Sequence, residues 1–97
     1  MLYLVIARDD PVRSGERPQH RAHHLAYLAD CGERLKFAGP IEGEDGPRGS
    51  VFVIEAASET AARLFAENDP YRKAGIFAGV EILPIRGVLG AWVARGG

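Results

Sequence analysis

Three histidines stand close together in the stretch QHRAHHL, His20, His23 and His24, and an aspartate, Asp69, precedes a proline and a tyrosine in NDPY. An imidazole exchanges a proton near neutral pH, and a carboxylate beside it fixes its tautomer and favours its charged form. His24 precedes Leu28, Cys31 and Leu35 by four, seven and eleven positions, so it continues the inward stripe of a helix. His20 lies one turn nearer the helix start, and His23, about 100° round from His24, is expected to face solvent. Structural readings stand beside the chemical one. A histidine on an apolar face is commonly a hydrogen-bonded core residue. Asp69 before Pro70 serves equally well as a helix stop, since proline lacks a backbone N–H and biases the residue before it out of the helical region. A zinc site built from His20, His24 and Cys31 would have too few ligands, and no metal is expected.

The elements that must position these groups follow from periodicity and turn chemistry. Residues 2–7, LYLVIA, read as a strand stopped by Arg8-Asp9-Asp10-Pro11, and the polar run to Arg17 reads as a loop. Pro18 suits a first helical turn, and residues 19–36 continue as a helix with Leu25, Leu28 and Leu35 on one stripe, weakened at Gly32. Residues 37–41, FAGPI, form a short strand and 42–49 a hairpin loop. A strand over 50–56 follows. Ser58 and Glu59 open a helix through Asn68, with Ala61, Leu64, Phe65 and Asn68 on one face, and 76–85 make the last strand.

This order is βαββαβ, the ferredoxin-like α+β fold: a four-stranded antiparallel sheet with two helices on one face. Ninety-seven residues suffice for one domain, 1–97, with a core over 1–86 and a tail over 87–97. The other sheet face should then be polar in a monomer, yet strands one and four are apolar on both sides. A chain this short can cover that second face only with another copy, so a homodimer joined through the sheets is expected. A net charge of −1 with interspersed signs leaves no basic stripe for nucleic acid and no polybasic patch for a membrane. The single cysteine excludes an internal disulfide, and the first ten residues are too short and too uncharged ahead of the apolar run for a signal peptide; a cytoplasmic protein is expected.

Walking that topology, one end of the sheet collects the end of strand one (Arg8), the first turns of helix one, Gly39 and Pro40 of strand two, Ser50 at the start of strand three, and Asp69, Pro70 and Tyr71 after helix two. Arg8 is ordinarily a solvated charge but at a strand end could hold an anionic substrate. Tyr71 is a pocket wall or a core aromatic, and Ser50 has no serine-nucleophile motif around it.

Five stretches in order, MLYLVIARDD, AHHLAYL, FAGPI, GSVFVIEA and NDPYRKAGIF, resemble the YciI-like (YCII-related) family over residues 1–86. The resemblance implies a ferredoxin-like domain dimerising through its sheet as a dimeric α/β barrel, similar to muconolactone isomerases. It implies a site centred on His24 and Asp69, with Gly49 and Ser50 matching a Gly-Ser motif; His23 has no counterpart. The expected function is a cofactor-independent enzyme, a lyase, isomerase or dehalogenase, acting on a small aromatic or enol-type metabolite. His24 would move the proton, Asp69 would orient and charge the imidazole, and Ser50, backbone N–H groups and Arg8 would bind an oxyanion. Gly39, Pro40 and Tyr71 would complete the substrate site. No nucleotide fingerprint or phosphate loop is present, so no cofactor is expected. A noncatalytic ligand-binding or regulatory dimer using the same pocket is the alternative.

Overall fold

The computed structural model describes residues 1–93. Strand β1 (Leu2–Asp9) leads through a 3₁₀ turn (Ser14–Glu16) into helix α1 (Arg17–Asp30). A second 3₁₀ turn (Gly32–Arg34) precedes β2 (Leu35–Gly43), β3 (Gly46–Glu55), α2 (Glu59–Glu67), a one-turn helix α3 (Pro70–Lys73) and β4 (Phe77–Ile85). The sheet has the order β2-β3-β1-β4 with every neighbouring pair antiparallel. This is the ferredoxin-like α+β arrangement.

Local chemistry sets the boundaries. Ser58 caps α2 by accepting a hydrogen bond from the Ala61 N–H at 3.1 Å. Helix α1 stops at Asp30, short of the expected residue 36, because Gly32 turns the chain at φ 58° and Leu35 already belongs to a strand. The expected loop 42–49 shrinks to Glu44-Asp45, since Gly46 adopts φ 117° and both strands extend into the glycine-rich segment. Helix α3 was not foreseen: four residues are too few for a periodic signal.

The core lies between the helices and one face of the sheet. Tyr3, Val5, Ala7, Phe52 and Ile54 point inward against Leu28 of α1 and Cys31 just after it, Ala62, Phe65 and Ala66 of α2, and Tyr71. Two helix stripes differ from the periodic reading. Leu25 and Leu64 are exposed, and Ala62 and Ala66 are buried in the place expected for Ala61 and Leu64. Alternation also breaks in β4, where a register shift opposite Arg8 and Asp9 lets Phe77 join the core.

The face without helices carries Leu2, Leu4 and Ile6 of β1, Val51 and Val53 of β3, Phe37 and Ile41 of β2, and Leu83 and Ile85 of β4. The strand parity that the sequence left open is thereby fixed: odd-numbered residues of β1 face the helices and even-numbered ones the open side. Beyond β4 the chain returns to this open side, where Trp92 stacks on Phe37 with ring centroids 5.4 Å apart. Residues 94–97 of the expected tail lie outside the described residues.

Candidate active site

Helix α1 presents Arg17, Arg21, His24 and Leu28 along one stripe, at steps of four, three and four, and this stripe forms a wall of an open cleft of about 1250 Å³. The facing wall comes from the β2–β3 hairpin, including Ala38, Pro40, Ser50 and Phe52. The cleft exists because α1 does not reach across the edge strand β2.

Behind His24 sits Asp69, 1% exposed, at the start of α3. Its extended backbone, ψ 132°, is the conformation that a following proline enforces. Asp69 Oδ1 accepts the Tyr71 N–H at 2.8 Å, which caps α3, and the same oxygen lies 2.8 Å from His24 Nδ1. A carboxylate only accepts hydrogen bonds, so Nδ1 carries the proton and the lone pair of the neutral ring is on Nε2. Asp69 Oδ2 is buried and has no hydrogen-bond partner among the described residues. The aspartate is thus both a helix signal and a partner for the imidazole, though the helix it marks is the start of α3 rather than the end of α2.

The ring of His24, 7% exposed, is fixed by aromatic neighbours. Tyr71 stacks on it with centroids 3.9 Å apart and planes 9° from parallel, while Phe52 and Phe77 approach at 6.3 and 6.5 Å with steep interplanar angles. Burial raises the Tyr71 phenol above its ordinary value, opposed by Arg17 and Arg21, so it stays a neutral hydroxyl at physiological pH. Burial likewise raises the Cys31 thiol, which makes it a poor nucleophile.

Of the residues named from sequence, His24, Tyr71, Ser50, Gly39 and Pro40 line the cleft, with Asp69 directly behind His24. His23 is exposed and His20 half-buried. Arg8 is elsewhere: it lies on the open face of the sheet, exposed, 3.4 Å from Glu81. Side chains alternate along a strand, and Arg8 shares the parity of Leu4 and Ile6. The guanidinium in the cleft belongs instead to Arg17, which sequence reasoning left in the loop. Its signal was available, since Arg17 stands seven residues before His24 and therefore on the same helical stripe. Among the described residues no cluster of three histidine, cysteine or carboxylate side chains is placed to hold a metal ion, and no helix is long and apolar enough to cross a membrane.

A ferredoxin-like sheet with a histidine–aspartate pair in a cleft beside α1 agrees with what comparison finds: the model of the YCII-related domain matches residues 1–86, and the chain belongs to that family. It is 36% identical to Protein YciI of Escherichia coli O6:H1 (strain CFT073), covering 91% of this chain and 99% of that one. An uncharacterized protein of Haemophilus influenzae is 34% identical with the same coverage. Among solved structures, the 5-chloro-2-hydroxyhydroquinone dehydrochlorinase TftG of Burkholderia phenoliruptrix AC1100, in complex with 2,5-dihydroxybenzoquinone, superposes with a TM-score of 0.83. It is 33% identical, and the match covers 89% of this chain and 94% of TftG. A relative of this fold and similarity is therefore a small-molecule enzyme.

Proposed function

We propose that this protein is a cofactor-independent enzyme that moves a proton on a small aromatic or enol-type metabolite, with His24 as acid/base and Asp69 as its orienting partner. The observation that carries this reading is the 2.8 Å contact between His24 Nδ1 and the buried Asp69 Oδ1, which leaves Nε2 as the basic nitrogen of a residue lining the cleft. A carboxylate behind the ring also stabilises the imidazolium that forms when Nε2 takes a proton. The reaction class can be an elimination of HCl, as in the dehydrochlorinase TftG. His24 takes a hydroxyl proton from a chlorinated polyphenol and returns it to the ring carbon that bears chlorine. Loss of a second hydroxyl proton then expels chloride, so that the ring becomes a quinone, HCl is released, and no external oxidant is consumed. Isomerisation of an enol would use the same proton transfer without a leaving group.

The working unit in this reading is a cytoplasmic homodimer of a single YCII-related domain, residues 1–97, with its core over 1–86 and a tail over 87–97. The apolar open face of the sheet supports the dimer.

The test is turnover of chlorinated hydroxyhydroquinones, other hydroxylated aromatics and lactones by wild type and His24→Gln. Loss of about 10²–10⁴-fold in the variant, with the fold retained, is the expected outcome. Saturable binding without turnover by the wild type would favour the noncatalytic ligand-binding dimer, and turnover insensitive to His24 would remove the proposed role.

A further inference from the structure

The cleft is longer than one aromatic ring, and its two ends differ in chemistry. At about 1250 Å³ it has the size that holds a drug-sized ligand. Its charged side chains stand toward one end, with Arg17 and Arg21 in the first turns of α1 and Glu44, Asp45 and Arg48 about the tip of the β2–β3 hairpin. Past His24, toward the C-terminus of α1, the lining changes character. Leu25, Leu28 and Ala29 of α1 and Leu35 and Ala38 of β2 form this end, and none of these side chains carries a polar group.

The two walls meet here because the chain turns back on itself. Helix α1 ends at Asp30, Gly32 reverses the direction, and Leu35 opens β2, so the last turns of the helix run beside the first residues of the strand. Ala38 pairs with the buried Phe52 and therefore shares the helix side of the sheet. Leu28 lies one helical turn beyond His24, and Ala29 about 7.5 Å beyond it along the axis.

This apolar end is only partly covered by the fold. Leu25 is 47% exposed, and Ala29 and Ala38 are exposed as well. A lone exposed leucine is ordinary on a protein surface, but here it shares one concave wall with other apolar side chains, continuous with the residue that carries the basic nitrogen. A second copy seated on the open face of the sheet would not reach it, since α1 lies on the opposite side. Apolar surface of this kind is stabilised by whatever removes it from water.

We propose that this end is a subsite for an uncharged aliphatic arm of the substrate, and that Leu25, Leu28 and Ala38 determine specificity for it. The substrate class is thereby narrowed to alkylated rings, with the ring beside His24 and the arm lying between the end of α1 and the start of β2. The inference rests on the proposed function in placing the ring beside His24.

Calorimetric titration with 4-ethyl-, 4-butyl- and 4-hexylresorcinol reads the subsite directly. An open cleft buries each methylene in part, so wild type should gain about two- to threefold in affinity per methylene, or about 16- to 80-fold from ethyl to hexyl. Leu25→Gln changes a half-exposed helical position to another good helix former, and Ala38→Glu places a carboxylate on the facing wall at an exposed strand position. Each should cut the ethyl-to-hexyl ratio about threefold or more. An equal affinity for all three probes in wild type, failure to bind any of them, or a ratio unchanged in both variants overturns the proposal. His24→Gln should keep the wild-type ratio. Failure of the acid/base role is read in turnover, whereas failure of the apolar subsite is read in this ratio.

Discussion

At the scale of the residue, Asp69 shows how one oxygen serves two purposes. Oδ1 accepts from both the Tyr71 N–H and His24 Nδ1, so the helix cap and the imidazole tautomer depend on the same atom. An asparagine in its place can present its amide oxygen to both donors, and asparagine caps helices as well as aspartate does. Asp69→Asn should therefore leave the melting temperature within a few degrees of wild type and keep the Nδ1–H tautomer, readable in imidazole ¹⁵N chemical shifts. What it removes is the charge that stabilises the imidazolium, so turnover should fall about tenfold or more. Asp69→Ala removes the cap and the hydrogen bond together and should cost about 1–3 kcal/mol of stability in urea unfolding. If the two variants unfold alike, the cap is not what Asp69 contributes.

At the scale of the element, the β2–β3 hairpin forms the wall facing α1, and its closeness to β1 depends on Gly49. A Cβ at this position would meet the carbonyl oxygen of Ala7, in the strand paired with it, and the Ile41 side chain at 3.1 Å. Backbone cannot swing aside as a flexible side chain can. Gly49→Ala should push β3 from β1 and cost about 1–3 kcal/mol in urea unfolding. It should also disturb the neighbouring Ser50, which lines the cleft, so any turnover should fall along with stability. A variant as stable as wild type would mean that the strands accommodate a methyl group and that the close approach is not required.

At the scale of the whole molecule, the open sheet face sets the expected assembly. Leu4 and Ile6 stand at its middle, whereas Val5 is fully buried beneath the helices. Leu4→Asp should convert a dimer to a folded monomer in sedimentation. Val5→Asp should unfold the chain, because a carboxylate there has neither water nor a partner. A wild type that sediments as a monomer at micromolar concentration would remove the dimer from the proposal. The alkaline limit of stability is also a property of the whole fold. Burial raises the phenols of Tyr27 and Tyr71 above 10.0 and the Cys31 thiol above 9.0, so the folded chain holds these protons more tightly than the unfolded one. Their contribution is fully present below pH 9 and is lost as pH rises through the raised values, and the urea midpoint should decline over that range.

Element order and fold class were legible in the sequence because strand and helix periods are local, and turn residues such as Pro11, Gly46 and Pro70 punctuate them. The stripe from His24 through Leu28 to Cys31 was legible for the same reason, and so was the neighbourhood of Asp69, since chain direction alone brings the end of α2 toward the start of α1. Other features depended on packing between elements. The faces taken by Leu25 and Leu64 depend on where each helix rests on the sheet, a rotation that a broad apolar pattern does not specify. Arg8 points to the open side and not into the cleft because the parity of β1 is set by which side the helices cover, and both sides of that strand are apolar; Arg17, read as the end of a loop, opens α1 instead. The shared oxygen of Asp69 and the forked contact of Arg17 with Asp9 are matters of angle and distance between residues apart in sequence, which only the tertiary structure decides.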